Sequence, residues 1–196
     1  LSLYFFFKNI KINKLMMLIG GAEHKFSHLN EFGKTFKKNN GDYKLVLDYE
    51  YVNGFPSKKI KNWISPYKKF NKLISKFHPD LVFIDRQSQF GVAAINAKLP
   101  LFVHLRGDYW SELEWSKQTI NSSLKSKSIL HFKEKIAKQC FENARVILPL
   151  SNYLSEIVRK HYPEKPIETF HQGINPDMWF QDKKMKLKHP CVGMVQ

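Results

Sequence analysis

The feature that most constrains the fold is the alternation of short apolar runs with segments of helical periodicity. The apolar runs lie at 15–19, 43–49, 81–85, 101–105 and 146–148. Between the first two runs, apolar residues recur at the spacing of one helix face, from Phe26 through Leu29 and Phe32 to Phe36. Continuous apolar strands separated by helices are typical of a parallel sheet that helices cover on both faces. The sequence therefore predicts an α/β, Rossmann-like fold.

The predicted organisation is one Rossmann-like domain with a short piece on either side. Residues 15–175 contain the alternating pattern, and residues 1–14 are interpreted as an extension of uncertain structure. Residues 176–196 are interpreted as a linker and the first strand of a second, truncated domain. Within the main domain, residues 106–127 lack a clear period and are predicted to form a long irregular connection. Residues 167–170 are predicted to form its last strand.

The formal net charge of +15 raises the question of a polyanionic partner. Only four of the 32 basic residues are arginines, and the lysines are scattered along the chain without a nucleic-acid-binding motif. This distribution favours a solvated lysine surface and makes nucleic acid an unlikely partner. An anionic membrane surface is the other candidate partner, because each basic residue near such a surface contributes about 1 kcal/mol.

Cysteine and histidine spacing gives no indication of a metal site. Cys140 and Cys191 lie far apart, and no glutamate stands between His24 and His28 in the manner of a helical zinc motif. The sparse use of cysteine predicts a reduced, cytoplasmic protein. If the membrane interpretation is correct, the protein is peripheral at the inner face of the membrane.

The candidate site residues follow the strands, because ligands of such sheets bind beyond the carboxyl ends of the strands. Gly20 and Gly21 follow the first strand, where a tight turn would bring backbone N–H groups close to a phosphate or sugar. The alternative is an ordinary turn. The full G-x-G-x-x-G pattern is missing, which disfavours a classical NAD domain. Arg86 follows the third strand. Its guanidinium would either bind an anion through two N–H groups or form a surface ion pair that contributes little to stability.

The segment after the fourth strand is the most informative. It places the imidazole of His104, the guanidinium of Arg106 and the carboxylate of Asp108 within five residues. His104 and Asp108 are the predicted catalytic residues, although His104 is also compatible with a purely structural buried hydrogen bond. Tyr109 and Trp110 are predicted to lie in the long connection, where they would stack on a sugar or pack beneath the loop.

Three segments resemble family 4 glycosyltransferases of the GT-B fold. The opening segment 15–32, with its Gly20-Gly21-Ala22-Glu23 turn, is similar to the start of that family. Residues 146–154 resemble its strand followed by a serine-capped helix, and residues 167–175 resemble its passage into the second domain. The order and spacing of the three segments are more specific than any one of them.

The resemblance implies transfer of a sugar from a nucleotide-sugar donor, with retention of anomeric configuration and without a metal or other cofactor. This domain would mainly hold the acceptor, a glycan or a lipid-linked molecule, while the second domain would hold the nucleotide. His104 or Asp108 would hydrogen-bond the donor sugar or the acceptor, Arg106 would assist an anionic group, and the Gly20-Gly21 turn would lie against the donor. The chain would be inactive alone, because stabilisation of the leaving nucleotide belongs to the second domain.

Two departures and two rival interpretations remain. Gln172 replaces the usual asparagine before Gly173, and Asn175 replaces the usual aspartate, so the contacts of Gly173 with donor or acceptor stay open. One rival is an NAD-dependent or epimerase-type enzyme with the same kind of sheet. The other is a non-enzymatic, lysine-rich binding module.

Overall fold

A computed structural model describes residues 14–52, 66–119 and 123–173. Five strands form one parallel sheet in the order β2-β1-β3-β4-β5. The strands are β1 (Leu15–Gly21), β2 (Gly41–Leu47), β3 (Leu81–Asp85), β4 (Leu101–Leu105) and β5 (Val146–Pro149). The described helices are α1 (Phe26–Lys38), α2 (Asp48–Tyr51), α3 (Lys68–Phe77), α4 (Gln89–Asn96), α5 (Tyr109–Thr119), α6 (Leu124–Asn143) and α7 (Asn152–His161). The predicted α/β, Rossmann-like fold is confirmed.

The sheet carries a separate apolar layer on each face, because side chains alternate between the faces along every strand. On one face, which we call the α4 face, the buried side chains of the sheet pack against Phe70, Phe90 and Phe141 of α3, α4 and α6. On the opposite, α1 face, they pack against Leu29 of α1 and the half-buried Phe170. Three strands are almost wholly buried, which explains their continuous apolar runs.

Most predicted elements are confirmed, with two corrections. Residues 106–127 are not an irregular connection, because α5 occupies Tyr109–Thr119 and α6 begins at Leu124. Helix α5 buries none of its residues fully, so its sequence lacks the apolar stripe that would have predicted it. Residues 167–170 run beside β5 with one isolated bridge, Ile147 to Ile167, rather than as a full strand.

Several sequence predictions lie outside the described residues. These are the extension at 1–13, the linker and following strand at 176–196, and most of the connection at 53–66. Among the described helices, none has both the length and the apolar content that crossing a bilayer requires.

Candidate functional site

A buried acid–imidazole pair lies at the carboxyl edge of the sheet, on its α1 face. Asp85 ends β3, and the sheet register pairs it with His104 of β4. The Nδ1 atom of His104 lies 2.8 Å from Oδ1 of Asp85. The side chains are only 5% and 2% exposed, respectively. Two polar groups that are buried this deeply and hydrogen-bonded to each other fix one another's orientation.

Asp85 is held in its ionised form by its neighbours. Burial acts to raise its pKa, but the hydrogen bond from His104 and the electrostatic effects of His104, Arg106 and Lys25 outweigh burial, so that the pKa lies below its ordinary value. A carboxylate can only accept hydrogen bonds. We therefore assign the Nδ1 proton to His104, which leaves Nε2 to present a lone pair when the imidazole is neutral.

The other ring nitrogen of His104, Nε2, is buried and has no hydrogen-bond partner among the described residues. The ring lies between two aromatic side chains, with its centroid 5.8 Å from that of Phe83 and 5.3 Å from that of Phe170. An orphaned buried polar atom costs about 1–3 kcal/mol, so its presence in an ordered core needs a reason. A hydroxyl-bearing ligand would supply one once the groups that cover this nitrogen move aside to admit it.

Arg106 connects this pair to the segment that follows β5. Its Nε lies 3.6 Å from Oδ1 of Asp85, and its Nη2 donates to Oε1 of Gln172. The next residue, Gly173, is exposed, and a Cβ added to it would have no atom within 4 Å. We call Asp85, His104, Arg106 and Gln172 the Asp85 cluster. The cluster joins side chains from the ends of β3 and β4 with a third segment, and Arg106 is its partly exposed member.

Asp108 has a structural role in the described geometry. Its Oδ1 accepts hydrogen bonds from the backbone N–H groups of Trp110 and Ser111, and its Oδ2 accepts one from the Ser111 hydroxyl at 2.6 Å. This is the pattern of a helix cap, here at the start of α5. Burial raises the pKa of Asp108, but these hydrogen bonds and the charge of His161 lower it more, so that it lies below its ordinary value. The predicted catalytic role of Asp108 is untested.

We expect replacement of Asp108 by alanine to lower the free energy of unfolding by about 1 kcal/mol, as for other lost caps. Asparagine at this position should keep most of the capping and the wild-type melting temperature. Thermal unfolding and turnover of both variants separate the two roles. A large loss of turnover in Asp108→Asn at unchanged stability would restore Asp108 as a catalytic candidate.

Tyr109 and Trp110 lie in helix α5, not in a loop as predicted. Trp110 stacks on His161 with ring centroids 4.1 Å apart, and both aromatic rings pack against Phe141 on the α4 face. Burial, together with nearby acidic and phenolic groups, raises the pKa of Tyr109 to about 12. Packing, which was the alternative interpretation, describes both residues here.

Gly20 and Gly21 lie inside β1 and are buried, so the predicted turn at these residues is wrong. A Cβ on Gly20 would lie 2.6 Å from the ring of Phe90, and one on Gly21 would lie 2.1 Å from Leu29. Both positions therefore exclude a side chain for reasons of packing. Of the two, only Gly21 points to the α1 face, where the Asp85 cluster lies.

Replacement of Gly20 by alanine should destabilise the protein by about 1–3 kcal/mol, because the added methyl group overpacks a core in which Phe90 is fully buried. Gly173→Ala is the matched control and should leave the melting temperature unchanged. If Gly20→Ala kept full stability but lost donor binding, close approach of a ligand would explain this glycine better than packing does.

Arg86 lies at the end of β3 but outside the Asp85 cluster. Its side chain is exposed and forms an ion pair with Glu112 of α5. Its backbone has a φ of 95°, a conformation that side-chain-bearing residues rarely adopt. Of the two sequence interpretations, the surface ion pair is the one present here.

Replacement of Arg86 by glycine should raise the melting temperature by about 2–4 °C, because relief of the left-handed backbone gains about 1 kcal/mol while the lost exposed pair costs little. Glu112→Gln removes the same ion pair without changing the backbone and should be neutral. A lower melting temperature for Arg86→Gly than for Glu112→Gln would refute this explanation.

The structure thus divides the predicted site residues between two faces. His104 and Arg106 meet in one cluster beside Gly173, whereas Gly20, Tyr109 and Trp110 contribute to the α4 face. Sequence reasoning did not assign Asp85 or Gln172 to the site. The only available signal for Asp85 was its position at a strand end, one strand away from His104.

Comparisons with solved structures show the fold. The chain is similar to UDP-N-acetylglucosamine 2-epimerase from Rickettsia bellii, with 15% identity and a TM-score of 0.50 over 79% of this chain and 43% of that one. Phytolacca americana UGT2, solved with UDP-2fluoro-glucose and pterostilbene, gives 10% identity and a TM-score of 0.48 over 83% of this chain and 55% of that one. The chain therefore spans about half the length of each of these two structures.

Comparisons of sequence identify the family. No curated protein matches the chain. The family model described as Glycosyltransferase Family 4 matches residues 30–178, which is more than half of the chain and includes the whole Asp85 cluster. The protein belongs to Glycosyltransferase Family 4.

Proposed function

We propose that the protein transfers a sugar from a nucleotide-sugar donor to a glycan or lipid-linked acceptor, with retention of configuration and without a metal. Membership of Glycosyltransferase Family 4 supports sugar transfer. One observation links the proposal to particular residues. Nε2 of His104 has no hydrogen-bond partner among the described residues, and ionised Asp85 holds the ring at the carboxyl edge of the sheet.

In this proposal, His104 contacts the donor sugar or the acceptor near the reacting centre. A neutral imidazole whose Nδ1–H is bound to Asp85 accepts a hydrogen bond from a sugar hydroxyl at Nε2. Asp85 acts through His104 and is therefore a positioning residue. Arg106 has donors beyond those used by Asp85 and Gln172, and these suit an anionic group of the substrate.

The described domain supplies the acceptor side of the proposed cleft. A second domain, expected to follow from about residue 176, would bind the nucleotide and stabilise the charge that develops on the leaving diphosphate. Such electrostatic stabilisation is usually the largest single contribution to catalysis. We therefore propose that residues 1–196 alone are inactive and that only the intact protein turns over.

A membrane surface is a proposed further partner. The excess of lysine, with a net charge of +15, supports attraction to anionic lipids, which would bring a cytoplasmic enzyme to the inner face of a membrane that carries lipid-linked acceptors. Nucleic acid is not proposed. Co-sedimentation of the intact protein with anionic and with neutral vesicles tests this partner, and equal binding to both would remove it.

Turnover of nucleotide sugars by the intact protein tests the proposed function. A panel of uridine, guanosine, adenosine and thymidine diphosphate sugars is incubated with the protein and a mixture of glycan and lipid-linked acceptors, and release of the nucleotide is measured with and without EDTA. We expect release from one donor class, unaffected by EDTA, and a product whose anomeric proton coupling in NMR matches that of the donor. Release from none of the donors would contradict the proposal, as would activity that appears only with a nicotinamide cofactor.

A further inference from the structure

A lysine-rich groove lies at the free edge of the sheet, away from the Asp85 cluster. Strand β2 is an edge strand, and α3 packs beside it on the α4 face. The groove between them has a volume of about 640 Å³ and includes Tyr49 and Tyr51 of α2. Its basic residues, which we call the groove lysines, are Lys44, Lys69, Lys72 and Lys76.

The groove lysines form an uncompensated positive strip. Lys69, Lys72 and Lys76 follow one another at spacings of three and four residues, which places them on one face of α3. They are exposed, and no described residue forms an ion pair with any groove lysine. Among the described residues that line the groove, Glu50 is the one acidic residue. Like charges at this spacing repel each other, so an anionic ligand would relieve an existing cost.

Aromatic rings at the upper end of the groove favour a sugar over a bare anion. The side chain of Tyr49 is 49% exposed, so its ring is accessible to a ligand. Tyrosine offers an apolar face for a pyranose ring and a hydroxyl for its polar groups. Lysines together with an exposed tyrosine therefore suit a carbohydrate that bears negative charges.

The groove runs toward the carboxyl edge of the sheet, where the Asp85 cluster lies. Helix α3 leads into the amino end of β3, so its own first turn, with Lys69, lies toward the carboxyl edge of the sheet. Tyr49 lies at the same edge, directly after β2. The end of β2 is two strands, roughly 10 Å, from the end of β3. The Asp85 cluster lies on the α1 face and the groove on the α4 face, so a chain molecule bound at the cluster would cross the carboxyl edge beside Tyr49 before it runs down the groove past Lys76.

We infer that the groove binds an acidic glycan, as the extended part of the acceptor. This inference rests on the proposed function, since it names the acceptor class of the same site. The concave shape fits a chain of a few sugars better than a flat membrane. The glycan is attracted by the charges of the groove lysines and contacts the ring of Tyr49. Its affinity should fall as salt screens the charges.

Binding of an oligogalacturonate to the intact protein tests this inference, measured by isothermal titration calorimetry without any donor. The groove variant carries Lys69→Gln, Lys72→Gln and Lys76→Gln. The control variant carries Lys125→Gln, Lys127→Gln and Lys133→Gln on exposed positions of α6, so that both lose three charges. We expect the affinity to fall about tenfold in the groove variant, as for three exposed ion pairs, and to stay within about twofold of wild type in the control.

Two further measurements, with inorganic polyphosphate and with anionic vesicles, distinguish an acidic glycan from other anions. Tyr49→Ala should weaken oligogalacturonate binding but leave inorganic polyphosphate binding unchanged, because only the sugar contacts the ring. Equal losses in the groove and control variants would overturn the inference, as would binding of anionic vesicles through the groove lysines without binding of oligogalacturonate. The calorimetric assay needs no turnover, so it separates this inference from the proposed function. If oligogalacturonate binds in the groove but no donor is turned over, the proposed function is contradicted. If the enzyme is active but oligogalacturonate does not bind, only this inference is contradicted.

Discussion

Replacement of His104 by asparagine is expected to lower kcat of the intact protein about 100-fold, the usual cost of losing one hydrogen bond that is made at the reacting centre. Asparagine can place a donor near the position of Nδ1, so the bond to Asp85 can be retained while Nε2 is lost. Steady-state kinetics with the donor that turns over best measure the effect. The fall should appear in kcat more than in KM, because the contact is proposed to be strongest in the transition state.

Glutamine at the same position is the matched control for His104. Its longer side chain can place an amide oxygen near the position of Nε2. We therefore expect kcat of His104→Gln to be about tenfold higher than kcat of His104→Asn. Equal activity of both variants and the wild type, at unchanged stability, would show that His104 is only a buried structural residue. That was the alternative interpretation of the sequence.

Replacement of Asp85 by alanine is expected to lower the free energy of unfolding by about 1–3 kcal/mol, because it leaves the buried proton on Nδ1 of His104 without an acceptor. The side chain of Asp85 is 2% exposed, so water cannot easily replace the lost acceptor. Asparagine keeps a carbonyl oxygen as acceptor and should cost less. Thermal and urea unfolding of the three proteins at pH 7 measure the difference, and a loss below about 1 kcal/mol for alanine would contradict this account of the pair.

The contribution of Asp85 should also depend on pH in a defined direction. Its folded pKa is lowered, so the stability that it contributes is present above the unfolded pKa of about 3.9 and is lost as the pH falls through the folded pKa. The difference in unfolding free energy between wild type and Asp85→Asn should therefore shrink as the pH falls below about 4. A difference that grew in this acidic range would have the wrong sign.

Activity distinguishes a positioning role of Asp85 from a purely structural one. Asparagine at position 85 permits the other tautomer of His104, with the proton on Nε2. Asp85→Asn should therefore lower kcat even under conditions in which the variant is fully folded. A shifted pH profile of kcat in Asp85→Asn, compared with wild type, is the second readout. Loss of folded protein alone would leave the profile of the remaining activity unchanged.

The sheet could be predicted from the sequence because burial on both faces produces continuous apolar runs. Residues 81–85 and 101–105 were predicted as strands and are β3 and β4. Ser151 was predicted to cap a helix, and its hydroxyl accepts a hydrogen bond from the N–H of Leu154. Helix α5 could not be found in the same way, since the exposed Trp115 and the half-buried Ser116 interrupt the apolar pattern of its inner face.

The site could be predicted only in part, because strand register and face are properties of the assembled sheet. The sequence shows Asp85 and His104 at the ends of two strands, but the choice of which residues stand opposite each other comes from the pairing of β3 with β4. Gly20 and Gly21 look like a ligand-binding turn in the sequence, whereas the need to exclude a Cβ next to Phe90 and Leu29 appears only in the packed structure.

The central claim is that ionised Asp85 fixes the tautomer of His104 so that Nε2 meets the donor sugar or the acceptor. The most direct test is NMR of the intact protein with nitrogen-15-labelled histidine, with and without its substrates. The account predicts that Nδ1 of His104 carries a proton in a hydrogen bond and that the Nε2 resonance shifts when the site is filled. A proton on Nε2 with a bare Nδ1, or an Nε2 resonance that does not respond to saturating donor and acceptor, would contradict it.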